Sequence, residues 1–310
     1  GMGGGYNGRD QAEHAVLDDE DWSATGFLNT LKDKAHTQLG SSGGGNHFVE
    51  WGALTLDDND AVLGLDAGQY LALLSHSGSR GFGFQIADRF TKLAQEQHPL
   101  LDDAVKHLAW LDLDSSLGYE YWVSMQLAGR YAAANHEVIH RKVAKAAGLK
   151  PIATVENHHN FAWKQTINTD DGEREVIVHR KGATPAGEGV MGVIPGTMGD
   201  AGYVVRGRGN PASLHSASHG AGRELSRRQA KQTITKTERD RYLKARQVTL
   251  FGGDVDEAPQ AYKSIDAVMA AQRDLVDVIG KFEPRMVRMD GKLPGKSISK
   301  SKKGRKKRRR

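Results

Sequence analysis

Tyr70-Leu71-Ala72-Leu73-Leu74-Ser75 is a short apolar run that ends in the glycine-broken stretch His76-Ser77-Gly78-Ser79-Arg80-Gly81. Bounded by a Gly/Ser loop, the run reads as a buried strand. Beyond it, Phe84 to Gln97 repeats its apolar residues at helical spacing, and Ser124 to Ala147 does so again. Working outward, Gly40 to Gly45 is a flexible entry to a strand at Asn46 to Trp51. Glu175 to His179 is a strand that runs into a loop rich in Gly and Pro, and Tyr203 to Arg206 is another. Arg223 to Gln247 is polar and reads as helix. Tyr262, Ile265, Met269, Gln272, Val276 and Ile279 share one helical face that stops at Gly280. Strands and helices mix without a regular βαβ period. The expected fold is therefore α+β, a single large domain of mixed sheets packed as a sandwich and flanked by helices.

The 310 residues hold 38% hydrophobic and 26% charged side chains, which places the chain among soluble globular proteins. No apolar run is long enough to cross a membrane, and Gly1 to Asp10 lacks the apolar core of a signal peptide, so a cytoplasmic location is the expectation. There is no cysteine, which excludes disulfides and thiolate metal sites. The net charge of +5 is uneven. Residues 292–310 hold eleven Lys or Arg and no acid, and subtracting them leaves the body at −6. That run cannot bury anything, so it reads as a disordered tail that solubilises the chain or attracts RNA phosphates.

Four segments place a histidine beside Gly, Ser or Asn: Gly44-Gly45-Asn46-His47, His76-Ser77-Gly78-Ser79-Arg80, Asn157-His158-His159-Asn160, and Ser218-His219-Gly220-Ala221-Gly222-Arg223. Small neighbours keep an imidazole at a loop or strand end, where it can reach a metal or a phosphate. Imidazole nitrogens suit Mn, Zn, Fe, Co or Ni. Ser77-Gly78-Ser79-Arg80 offers hydroxyls, N–H groups and a guanidinium to phosphate oxygens. Ile194-Pro195-Gly196-Thr197-Met198-Gly199 is a second such loop, and His179-Arg180-Lys181-Gly182 adds positive charge. His219, accessible and close to Arg223, is a candidate nucleophile toward phosphorus. Together these imply metal-assisted phosphoryl or nucleotidyl transfer. His136-Glu137-Val138-Ile139-His140 also matches the H-E-x-x-H pattern of zinc proteases and offers a separate reading.

The ordered set of motifs resembles the RtcB-type RNA-splicing ligases. It runs from Gly-Gly-Asn-His-Phe-Val-Glu at 44–50 through His-Ser-Gly-Ser-Arg-Gly at 76–81, His-His-Asn-Phe at 158–161 and Arg-Lys-Gly-Ala at 180–183. It continues with Ile-Pro-Gly-Thr-Met-Gly at 194–199, Val-Arg-Gly-Arg-Gly-Asn at 205–210, Ser-His-Gly-Ala-Gly-Arg at 218–223 and Ala-Tyr-Lys-Ser-Ile-Asp at 261–266. The resemblance spans about Leu39 to Gly291, and so divides the chain into a non-matching segment 1–38, a catalytic domain 39–291 and the basic tail 292–310.

The resemblance implies joining of an RNA 3′-phosphate or 2′,3′-cyclic phosphate to a 5′-hydroxyl with GTP and Mn²⁺, two ions in the family, in tRNA splicing or RNA repair. His219 would take GMP from GTP. His47, His76 and His159 would hold Mn²⁺. Asn46, Glu50, Thr197, Ala221, Gly222 and Tyr262 would bind the nucleotide, and Arg80 would contact phosphate or assist catalysis. An activating protein is a further partner the family implies. The family's Pro-Asp-x-His segment, with its metal-binding Asp and bridging Cys, has no counterpart in residues 1–38. A family Lys that faces guanine falls at Asp290, beside Lys292. These departures raise an alternative, a catalytically incomplete family fragment that only binds RNA.

Overall fold

The computed structural model describes Tyr6, residues 10–169 and residues 171–291. The basic run 292–310, Lys292 included, lies outside the described residues. The first helix, α1 (Gly26–Gln38), is capped by Thr25, whose hydroxyl accepts the Leu28 N–H. Two nine-residue strands follow, β1 (Phe48–Leu56) and β2 (Gly68–His76), then α2 (Arg80–Gln97) and α3 (Ser116–Ala146). Next come β3 (Asn160–Thr169), β4 (Gly172–Lys181), β5 (Ala183–Pro185), β6 (Met191–Ile194), β7 (Gly202–Gly207) and β8 (Ser216–Ser218). The chain ends in α4 (Arg227–Thr233), α5 (Lys236–Ala245), β9 (Thr249–Phe251), α6 (Ile265–Ala270) and β10 (Val276–Met289).

The fold is α+β, in one domain. Five strands run in the order β2-β1-β10-β7-β6, all antiparallel, and β9 adds to β10 in parallel. Two-stranded ribbons, β3–β4 and β5–β8, stand apart from this sheet. The second ribbon packs on the β6–β7 end, where Ala186, Ala217, Ile194 and Val205 share a core cluster. Stacking of sheets is thus confined to a short ribbon on one end of a single large sheet.

The largest departure from the sequence reading is at the C-terminal end. The helical face expected from Tyr262 to Ile279 exists only as α6. From Val276 the chain is a fourteen-residue strand, and Gly280 sits within it as an inward residue. From Gly280 to Pro284 burial alternates residue by residue, and Val287 and Met289 resume it, which is the period of a strand with one face inward. A side chain at Gly280 would press on the Thr55 carbonyl and Leu54 of β1, so glycine permits the close pairing. The polar stretch expected as one helix is two. Ser226 with Gln229 and Thr235 with Glu238 form two capping boxes, and buried Ile234 separates them.

Residues before Leu39 are part of the core. Ala12, Val16, Trp22, Leu28 and Leu31 pack with Phe82, Phe90, Leu127, Tyr131 and Val138 of α2 and α3 in one cluster. At full burial, large side chains of this kind stabilise by roughly 1.5–3 kcal/mol each, so the segment 10–38 cannot be a loose appendage. Among the described residues no helix is long and apolar enough to cross a membrane.

Candidate active site

Pairing of β1 with β2 sets the first two imidazoles. Phe48 stands opposite His76, so His47, one residue before β1, and His76, the last of β2, emerge at the same end of the sheet. Their ring centroids are 5.9 Å apart. His159 immediately precedes β3 and His219 immediately follows β8. Gly182 joins these two. Its N–H donates to the His159 carbonyl at 3.1 Å, and its own carbonyl accepts the His219 N–H at 3.3 Å. Gly182 does this at φ +76°, with His219 Nδ1 only 3.7 Å from where a Cβ would stand. The His159 and His219 rings are therefore stacked, at 4.8 Å and 15°. His76 to His159 is 4.7 Å. The four imidazoles form a row, 47-76-159-219, from four distant segments.

The row and Arg80 line one cavity of about 1620 Å³. Burial pushes the His47 and His159 pKa values down to about 4 and that of His76 well below its ordinary value. Neighbouring positive groups add to this, Arg80 against His47 and the other imidazoles against His76 and His159. These three rings are neutral at pH 7, with lone pairs free to bind. Arg80, at φ +58°, starts α2 and donates to Ser41 Oγ at 3.2 Å. Its guanidinium and the His47 ring both crowd Gly43, where any side chain would collide with them. Among the described residues, His47 Nδ1, His219 Nδ1 and Glu50 Oε2 are buried without a hydrogen-bond partner. Unpaired buried polar atoms are costly, and three of them around one site mark a place for a ligand.

The expected nucleotide residues lie beside the row rather than on the cavity wall. Asn46 Nδ2 is 3.4 Å from His76 Nε2. Glu50 is 3% exposed, burial raises its pKa well above the usual carboxylate range, and its Oε2 has no partner. Ala221 packs in one cluster with Ile194 and Tyr262. A Cβ on Gly220 would lie 3.1 Å from the Pro195 carbonyl, so the 194–199 and 218–223 loops touch. The Thr197 hydroxyl donates to Asp200 Oδ2 at 2.6 Å, and Tyr242 donates to the other oxygen at 2.5 Å. Gly222, at φ +73°, accepts the Lys263 N–H at 3.0 Å, which holds Tyr262 beside the His219 loop. Asp290 Oδ2 lies 2.9 Å from the Cβ position of Gly44.

The family model described as tRNA-splicing ligase RtcB matches residues 7–290. This chain belongs to the RtcB family. The match begins ahead of Leu39, where the motifs were expected to start, in keeping with the packing of residues 10–38. The RNA-splicing ligase RtcB of Escherichia coli K12 is 35% identical over 272 residues, 82% of this chain and 60% of that protein. The RNA-splicing ligase RtcB of Mycobacterium tuberculosis is 35% identical over 276 residues, 80% of this chain and 63% of that protein. The tRNA-splicing ligase RtcB of Nanoarchaeum equitans is 31% identical over 306 residues, 87% and 63%. The chain thus spans about three-fifths of these RtcB proteins.

The donors suit a divalent transition metal one by one, since they are neutral imidazoles with open nitrogens. As a set they do not. Among the described residues no three His, Asp or Glu side chains are placed to hold one ion. Neighbouring ring centroids along the row stand 4.7 to 5.9 Å apart.

Sequence reasoning offered His136 only as a zinc-protease residue and missed its place beside the row. It sits on α3, is buried, and acts electrostatically on His47, His76 and His159. Its H-E-x-x-H setting is not a zinc site. His136 Nδ1 and His140 Nε2 do aim at a common point, but Ser75 Oγ occupies it, at 2.9 and 2.8 Å. Glu137 turns away to His14 at 3.0 Å and Arg141 at 3.5 Å. Arg180, expected to add positive charge, is buried and lines the cavity; its Nε and Nη2 donate to Ser216, Gln165 and the Leu214 carbonyl, pinning the strand that leads to His219, and its Nη1 has no partner.

Proposed function

We propose that this chain is an RNA ligase of the RtcB kind, joining an RNA 3′-phosphate or 2′,3′-cyclic phosphate to a 5′-hydroxyl, with His219 as the guanylylated residue. The observation that carries this is the half-buried row of imidazoles, with buried, unpartnered Nδ1 atoms on His47 and His219. In the first step a His219 ring nitrogen attacks the α-phosphorus of GTP. An N–P bond forms, the bond to pyrophosphate breaks, and the ring proton leaves. In the second, an oxygen of the RNA 3′-phosphate displaces the imidazole and takes the GMP. In the third, the RNA 5′-hydroxyl attacks that phosphate and GMP departs.

His159, stacked on His219, restricts the nucleophile to one orientation. Arg80 and Arg223 supply positive charge for the triphosphate. Glu50, buried with one carboxyl oxygen unpartnered, would bind the nucleotide together with Asn46, Thr197, Ala221, Gly222 and Tyr262. Manganese is the ion the family implies, and His47, His76 and His159 are the donors this chain offers it. No step is routed through the ion, because the three do not converge. A cytoplasmic location and an activating protein partner belong to the same proposal.

The test is incubation of the full chain with α-labelled GTP and Mn²⁺. An acid-labile protein–GMP adduct that disappears in His219→Ala is expected. An adduct that survives the substitution overturns the assignment. One observation, the unconverged donor set, favours the second reading, RNA binding without catalysis. Salt-sensitive RNA affinity, no bound Mn²⁺ and no adduct in the wild type would support it.

A further inference from the structure

Glu257 ends a short 3₁₀ turn, Val255–Glu257, and is 4% exposed. A carboxylate this deep requires partners, and it has three. Tyr262 donates its phenolic proton to Glu257 Oε2. Arg223 Nη1 reaches the same oxygen at 3.3 Å and the Tyr262 oxygen at 3.1 Å, with its guanidinium 4.9 Å from the centre of the Tyr262 ring. Arg227 Nη1 stands 2.7 Å from Oε1, an ion-pair contact whose angle falls short of a hydrogen bond.

Each partner belongs to a different part of the site. Arg223 closes the loop that carries His219. Tyr262 is one of the residues proposed for the nucleotide, held to the same loop by the Lys263 to Gly222 hydrogen bond. The Arg227 guanidinium lies 3.4 Å from the Cβ position of Gly45, next to Asn46 and His47. One buried carboxylate therefore ties the nucleophile loop, the nucleotide tyrosine and the Gly-Gly-Asn-His loop together. Asp256 strengthens the tie, with its carboxylate 3.2 Å from Arg227 and its carbonyl accepting from Arg223 at 2.5 Å.

We infer that Glu257 is a positioning residue of the nucleotide site, which fixes the Tyr262 hydroxyl and holds Arg223 and Arg227 beside it. The inference rests on the function proposed above. If Glu257 only locked the fold, its loss would lower stability and leave nucleotide affinity independent of Tyr262.

The experiment is a double-mutant cycle on the full chain with Glu257→Gln, Tyr262→Phe and both together, read as GTP affinity by calorimetry. Each single variant should weaken binding about tenfold, and the pair should be no more than about twofold weaker than the worse single. Effects that multiply to about a hundredfold in the pair overturn the inference, as does an unchanged affinity in Glu257→Gln. A readout free of GTP runs alongside it. In ¹³Cζ-tyrosine NMR, the resonance absent from Tyr262→Phe should move in Glu257→Gln and stay in place in the surface control Glu283→Gln. Where Glu257→Gln does not fold, Glu257→Asp replaces it with the same expectation. Wild-type protein that binds no GTP sinks the function and this inference with it. Wild-type binding that Glu257→Gln leaves intact sinks the inference alone.

Discussion

Two groups of histidines line one cavity and meet burial in opposite ways. His136 and His140 are closed off by Ser75, whose single hydroxyl serves a nitrogen of each ring. His47 and His219 keep a buried Nδ1 with no partner. Burial lowers the pKa of His140 and of His47 to about 4 alike, so the shift does not separate the groups. Hydrogen-bond satisfaction does. A buried imidazole with a settled partner is part of the fold, and one left open is kept for something the chain binds.

The largest expected effect breaks this comparison directly. His219→Ala should abolish the GMP adduct, a loss of at least about a thousandfold, because the nucleophile has no substitute. His140→Ala should leave adduct formation within about threefold of wild type while lowering stability. Equal losses in both would show that the distinction between open and closed rings is empty.

The loops beside His47 and His76 depend on Asn135. It is fully buried, donates to the Ser41 and Gly78 carbonyls and to Ser77 Oγ, and accepts the Gly40 N–H at 2.8 Å. Asn135→Leu strands these groups and should cost about 3–5 kcal/mol in denaturant unfolding. A change below about 1 kcal/mol would mean the loops hold themselves. Gly182→Ala is milder. An alanine at φ +76° costs about 1–2 kcal/mol, and the strain falls where the His159 and His219 backbones are joined. Adduct formation should drop further than stability does.

The fold class and the grouping of the four histidines were legible in the sequence; the course of the C-terminal segment was not. The motifs announce themselves because small residues beside a histidine have few other uses, and all four proposed histidines reach one cavity. The strand at Val276–Met289 was hidden because Tyr262, Ile265, Met269, Gln272, Val276 and Ile279 satisfy a helical period by coincidence. What decides the matter is long-range, since β10 pairs with both β1 and β7, and propensity yields to such pairing. The alternation from Gly280 to Met289 was the local signal available. The observed surroundings of His136, and the role of Glu257, were hidden for another reason. Both come from contacts across 61 residues to Ser75 and 34 to Arg223, and no spacing rule reaches that far.

Acid sharpens the comparison with the smallest effect. His47, His140 and His159 have folded pKa values of about 4, against about 6.5 in an unfolded chain. Between these values the unfolded state holds more protons, so stability falls as pH drops from about 6.5 toward 4. The slope approaches about 1.4 kcal/mol per pH unit for each histidine. His140→Gln should remove one share of that slope, seen as a flatter fall in urea midpoint between pH 6.5 and 5. The open rings differ from His140 in one respect. GTP bound at the row should flatten the fall, because its phosphate charge raises the His47 and His159 pKa values toward the unfolded one, and should do so equally in His140→Gln. If GTP instead acts only when His140 is present, the two groups of histidines are one site.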